Sequence, residues 1–166
     1  MKNYKKIVLK GILFMVLILC VISTWFYLEV LLPYRTITDL SWWIPIRAEK
    51  EYVPNSKVRN ACHKALKYRF TYHYDATLAL RYVGNKDSIP YLIRTLKWEY
   101  LKRQDKMMPG NRLLGTLGYC VGSLEKLTGM DFGTDCAAWE KWWKETGQHL
   151  PFDETKGQLV LPEETQ

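Results

Sequence analysis

The chain is poor in the residues that build metal and redox centres, with four cysteines and three histidines among 166 residues. No C-x-x-C pair occurs: Cys20 lies in an apolar run, and Cys62, Cys120 and Cys136 stand far apart, so a metal-ligand spacing is missing. A clustered basic stripe is missing too. The net charge is +7, but four bases are Lys2, Lys5, Lys6 and Lys10, and residues 33–166 hold 20 bases against 16 acids. That balance argues against a nucleic-acid partner, whose phosphates demand concentrated cationic surface. Only one apolar run is long: Leu113 to Leu124 gives 12 uncharged residues, too few to cross a bilayer. What the chain does have is 14% aromatic residues and a mean hydropathy of −0.24, the composition of an ordered, packed protein.

The long run is GILFMVLILCVISTWFYL, Gly11 to Leu28, 18 residues without charge. As a helix it measures about 27 Å, close to the hydrocarbon thickness of a bilayer. Ile7 to Leu9 extend it if Lys10 snorkels, and Trp25, Phe26 and Tyr27 occupy the far end, where an interfacial aromatic belt belongs. A cleaved signal peptide would use Val21 and Ser23, but no A-x-A site is present and the apolar run continues. A lipoprotein signal ending at Cys20 is disfavoured by Leu19 before it. The expectation is an uncleaved signal anchor over residues 1–32, contacting membrane lipid. The four lysines ahead of it favour a cytoplasmic amino terminus and an extracytoplasmic, single-pass carboxyl-terminal domain. Residues 33–54, with Pro33, Pro45, Pro54 and Trp42-Trp43, show no periodicity and predict an irregular connector, lying on the membrane or on the domain.

Helical periodicity dominates residues 55–147, and 148–166 are assigned to a tail. After Pro54-Asn55-Ser56, the positions Val58, Ala61, Cys62, Ala65 and Leu66 fall on one helix face. Ala76, Ala79, Leu80 and Val83 define a second helix, and Gly84 is placed to end it in the left-handed conformation. Asp87 or Ser88 then caps a third, with Pro90 in its first turn and Ile89, Leu92, Ile93, Leu96 and Tyr100 inward. The short linker makes these two helices antiparallel neighbours. A longer helix is expected over 111–128, lined by Leu113, Leu114, Leu117, Val121 and Leu124 and closed by Gly129. Its glycines 115, 118 and 122 each cost about 1 kcal/mol against alanine, which close approach of another helix would offset. Asp135 caps a last helix bearing Trp139, Trp142 and Trp143.

The stretch LALRYVGNKDSIPYLIRTLK, residues 78–97, resembles a HEAT-type repeat of the short bacterial kind, also seen in phycobilin-lyase-like proteins. In that family an Ala/Leu-rich helix ends at Gly, Asp follows, and Pro opens a second helix ending Leu-x-x-x-Leu, as Leu92 and Leu96 do. LEKLTGMDFGTDCAAWEKWWKE is similar to the closing unit of such arrays. The resemblance covers residues 75–146 and carries no catalytic motif. It implies an all-α fold, a short HEAT-like α-α repeat solenoid of about five helices behind one transmembrane helix.

No catalytic constellation emerges, and no cofactor or metal is expected. Cys62-His63 resembles a nucleophile and base, but neighbours on a helix point about 100° apart. Cys120 and Cys136 are too distant along their helices to bridge, and a Cys62–Cys120 pair stays open. Asp131 and Asp135 suit turn and cap roles. The best binding candidates are Tyr91, Arg94, Trp98 and Lys102, which project opposite Ile89 and have the composition of an interaction hot spot. Packing of that face inside the domain is the plainer alternative. The chain is therefore expected to be a membrane-anchored protein-interaction or scaffold module and not an enzyme. A small-ligand-binding or lyase-like accessory protein and a structural subunit of a membrane complex stand beside that expectation.

Overall fold

The structure is a computed structural model, and it describes residues 2–39, 52–68, 73–104 and 115–162. It is mostly helical. Helix α1, Lys2–Phe26, continues through a π-helical turn, Tyr27–Leu31, into α2, Leu32–Thr38. Leu9–Thr38 contains an 18-residue window of mean hydropathy 2.4, and among the described residues it is the one helix long and apolar enough to cross a membrane. Among the described residues, none buries that window.

Here the expected connector is corrected at its start. Residues 33–38 are helical, and Pro33 and Ile37 are buried. A proline inside an α-helix clashes with the carbonyl four residues earlier, and the widened π turn directly before α2 accommodates Pro33. Trp42, Trp43, Ile44 and Pro45 lie outside the described residues.

Helix α3, Ser56–Lys67, is capped by Asn55, whose side chain accepts from the Val58 N–H at 3.1 Å. It buries the five residues that periodicity assigned to its inner face. Helix α4, His73–Val83, and helix α5, Ser88–Gln104, follow. Helix α6 is Thr116–Thr128, and α7, Cys136–Glu145, starts after Asp135, whose carboxylate accepts from Ala137 and Ala138 at 3.0 and 2.9 Å. The two helices joined by the short 84–87 linker, α4 and α5, were expected to pack as neighbours but touch only slightly; each packs mainly on other helices. α4 packs on α3 and α6, α5 on α6, α3 and α7, and α2 on α3. The core joins Ile37, Leu66, Leu80, Ile89, Leu92, Leu124 and Trp139, all fully buried. Each such side chain contributes about 1.5–3 kcal/mol of transfer free energy.

Two glycine expectations change. Gly84 does not take the positive φ of a left-handed cap; among the described glycines, positive φ occurs at Gly115, Gly129, Gly133 and Gly157. A Cβ on Gly84 would meet Leu127 Cδ1 at 2.9 Å and the Leu80 carbonyl, so glycine stands there to let α6 approach. Gly115 precedes α6 with φ 71°, so it is not part of a glycine stripe within the helix; residues 111–114 lie outside the described residues. Gly129 closes α6 in the left-handed conformation, φ 73°, as expected.

The carboxyl-terminal tail has structure of its own. A 3₁₀ turn, Gly147–His149, leads into a hairpin of β1, Phe152–Asp153, and β2, Gln158–Leu159, with Phe152 opposite Leu159. The Asp153 carboxylate accepts from the backbone of Thr155 and Lys156, and Gly157 turns at φ 66° beneath the Tyr52 ring. Leu159 is buried against the core, and β2 packs on α6. The Tyr52 hydroxyl donates to Glu154 at 3.0 Å; burial first, then this carboxylate, push its pKa up to about 12.

Candidate functional site

The face of α5 that was expected to project into solvent lies largely against α3. Tyr91 stacks on His63, ring centroids 4.6 Å apart at 7°. The Arg94 guanidinium donates to the Leu66 carbonyl at 3.0 Å, at the end of α3. It sits 5.1 Å from the Tyr91 ring and 5.0 Å from the Trp98 ring, in cation–π range of both. Its Nε is buried and finds no hydrogen-bond partner among the described residues. Trp98 stacks on His73 at 6.0 Å. Tyr91, Arg94 and Trp98 are thus half-buried, and only Lys102 of the four is exposed, 3.8 Å from Glu99.

On its other side this cluster opens into a groove of about 430 Å³ between α5 and α7. Pro90, Ile93, Arg94, Lys97 and Trp98 line one wall, and Glu140 and Trp143 the other. Lys97 and Glu140 bridge the walls at 2.7 Å. Arg94 and Trp98 therefore belong to the groove, whereas Tyr91 and Lys102 do not line it. Lys97, Glu140 and Trp143 escaped sequence reasoning, because a groove between two helices 43 positions apart leaves no local pattern.

One further contact has the form of a nucleophile–base pair: His63 Nε2 lies 2.8 Å from Ser88 Oγ. Ser88 is completely buried, and its Oγ also accepts from the Asn85 N–H at 3.0 Å. No substrate reaches that oxygen in this conformation, and the pair locks the turn before α5. Burial, then the Arg59 charge, lower the His63 pKa to about 4, so the imidazole is neutral at physiological pH. Cys62 points into the core, away from His63, and burial pushes its thiol and that of Cys120 well above the usual range. Both are free thiols. His73 has an acid beside it: Glu99 lies 3.3 Å from Nδ1, with the Tyr68 carbonyl 2.6 Å from Nε2. No group of three metal-ligating side chains converges among the described residues.

The span and the domain meet at a second cluster. Trp25 packs edge-on against Tyr68, centroids 5.9 Å apart, and Glu29 accepts from Lys64 at 3.0 Å and from the Tyr68 hydroxyl at 3.4 Å. Of the expected interfacial residues, Trp25, Phe26 and Tyr27 are exposed at the end of α1 where this contact forms. Comparison with known protein families, with curated proteins and with solved structures finds no match to this chain.

Proposed function

We propose that the chain is a single-pass membrane protein whose helical domain binds a protein partner in the α5–α7 groove and holds it near the bilayer. The observation that carries this reading is the groove itself. Two tryptophans and a desolvated arginine, with an exposed ion pair at the rim, form the composition and layering of an interaction hot spot. The anchor contributes by confining the partner to the membrane surface, with the amino terminus cytoplasmic and the domain outside. A HEAT-like architecture is part of the proposal. It is supported by the alternation of packing, in which α4 contacts α2 and α6 while α5 contacts α3 and α7, as in a two-layer stack.

The groove's size also suits a small ligand, which is the second reading. Affinity capture with the full chain separates them. Lys97→Glu with Trp143→Ala alters the groove and leaves Arg94 and Trp98 in place. The expected outcome is loss of a protein captured by the wild-type chain, already weakened by Lys97→Glu alone, which at its exposed position leaves the melting temperature unchanged. Equal capture by both chains contradicts the groove reading, and a chromophore absorbing beyond the aromatic band supports the ligand.

A further inference from the structure

The contacts of α3 and α5 decide which end of the domain faces the bilayer. The hydrocarbon core has to be filled by the uncovered, uncharged part of α1, and the domain begins where Trp25 meets Tyr68 and Glu29 meets Lys64. The last turn of α3 therefore lies at headgroup level. Helix α5 runs in the same sense as α3: Ser88 and Tyr91 face His63, Arg94 reaches Leu66, and Trp98 and Glu99 meet His73. From Arg94 to Lys102 the helix advances about 12 Å, so its end projects past the end of α3 on the side where Trp25 lies. That end carries Tyr100 and Leu101, 38% and 46% exposed.

We propose that this rim, Lys64, Lys67 and Lys102 around Tyr68, is a docking surface for anionic phospholipid headgroups. Its acids are all paired: Glu29 with Lys64 and Tyr68, and Glu99 with His73 and Lys102, so three lysines against two carboxylates leave the rim with a net positive charge. Its lysines are turned outward, Lys64 at 47% and Lys102 at 60% side-chain exposure, and Lys67 is exposed with its ammonium 5.4 Å from the Tyr68 ring. Helix α3 carries Lys64 and Lys67 in its last turn and no acid anywhere. Tyr100 and Leu101 add the amphipathic and apolar groups that enter a membrane interface. The inference rests on the span lying in a membrane and is independent of what fills the α5–α7 groove.

The full chain in nanodiscs tests it. Each lysine is acetylated with a water-soluble reagent and its rate read by mass spectrometry, in phosphatidylcholine discs and in discs containing phosphatidylglycerol. Lys144 and Lys156, both exposed on α7 and the hairpin turn, serve as references. With phosphatidylglycerol, Lys64, Lys67 and Lys102 should slow about fivefold, the factor matching about 1 kcal/mol per lysine at an anionic surface. High salt should restore them, and the references should not change. Equal slowing of all lysines overturns the proposal. So does equal protection by inorganic phosphate in phosphatidylcholine discs, which would make the rim a simple anion site. In a Lys67→Gln/Lys102→Gln chain, both positions being exposed, the slowing at Lys64 should shrink; full retention there contradicts a shared surface.

Discussion

Trp25, at the end of the apolar helix, and Tyr68, just past the end of α3, pack edge to face with ring centroids 5.9 Å apart. The contact joins the only candidate span among the described residues directly to the domain, and Glu29 reinforces it by binding Lys64 and the Tyr68 hydroxyl. The domain is thereby packed against the end of the apolar helix. A double-mutant cycle of Trp25→Ala and Tyr68→Leu, read by thermal unfolding of the full chain in detergent, should give a coupling of about 1 kcal/mol. Additive effects would mean the rings contribute separately.

Gly84 is needed for space. Gly84→Ala should destabilise by about 1–3 kcal/mol, through crowding of the Leu80 carbonyl and overpacking against Leu127. Combining it with Leu127→Ala should cost less than the two losses summed, because the cavity left at 127 receives the new methyl. Strict additivity in chemical denaturation would return the explanation to backbone conformation.

The His63 imidazole makes stability depend on pH. Its folded pKa, about 4, lies below the ordinary 6.5, so between these values the unfolded chain binds a proton that the folded chain refuses. Stability from this group is therefore complete above pH 6.5 and falls as pH drops towards 4, by about 2 kcal/mol after allowing for its partial exposure. In His63→Gln, unfolding free energies between pH 4 and 6.5 should flatten by that amount relative to wild type. An unchanged slope would assign the dependence to other groups.

Thiol reactivity should follow burial. Burial raises the pKa of all three domain thiols, so exposure decides: the buried Cys62 and Cys120 should resist alkylation in the folded domain, while the half-exposed Cys136 reacts first. Labelling followed by peptide mapping checks this, and rapid modification of Cys62 under native conditions would contradict the packing of α3.

The helices were legible in sequence wherever one face had to be apolar. The inward sets of α3 and α4, and Ile89, Leu92, Ile93 and Leu96 of α5, are all buried, as are Leu117, Val121 and Leu124 of α6. Tyr100 departs from its set and is 38% exposed. The helical course beyond Pro33 was hidden because proline ordinarily breaks a helix, and a π turn has no strong sequence signature. The hairpin did have a signal, Asp153 two residues before Thr155 with Gly157 to follow, but two-residue strands are too short to show alternation. The candidate site was half legible: Arg94 and Trp98 were named from helix geometry, and their inward stacking on α3 and the opposite wall on α7 are tertiary facts. His63 and Ser88 meet across 25 positions, which no local pattern encodes.

A photo-crosslinking residue placed singly at Glu140, Leu17 or Lys126 in the full chain, activated in native membranes, tests the membrane-anchored interaction module most directly. Glu140 sits on the groove rim, Leu17 in the span and Lys126 is exposed on α6. The account predicts one discrete protein adduct from position 140, abolished by Trp143→Ala, and none of that mass from 126. Adducts arising from position 17 alone, with 140 silent, would contradict it and make the span itself the binding element.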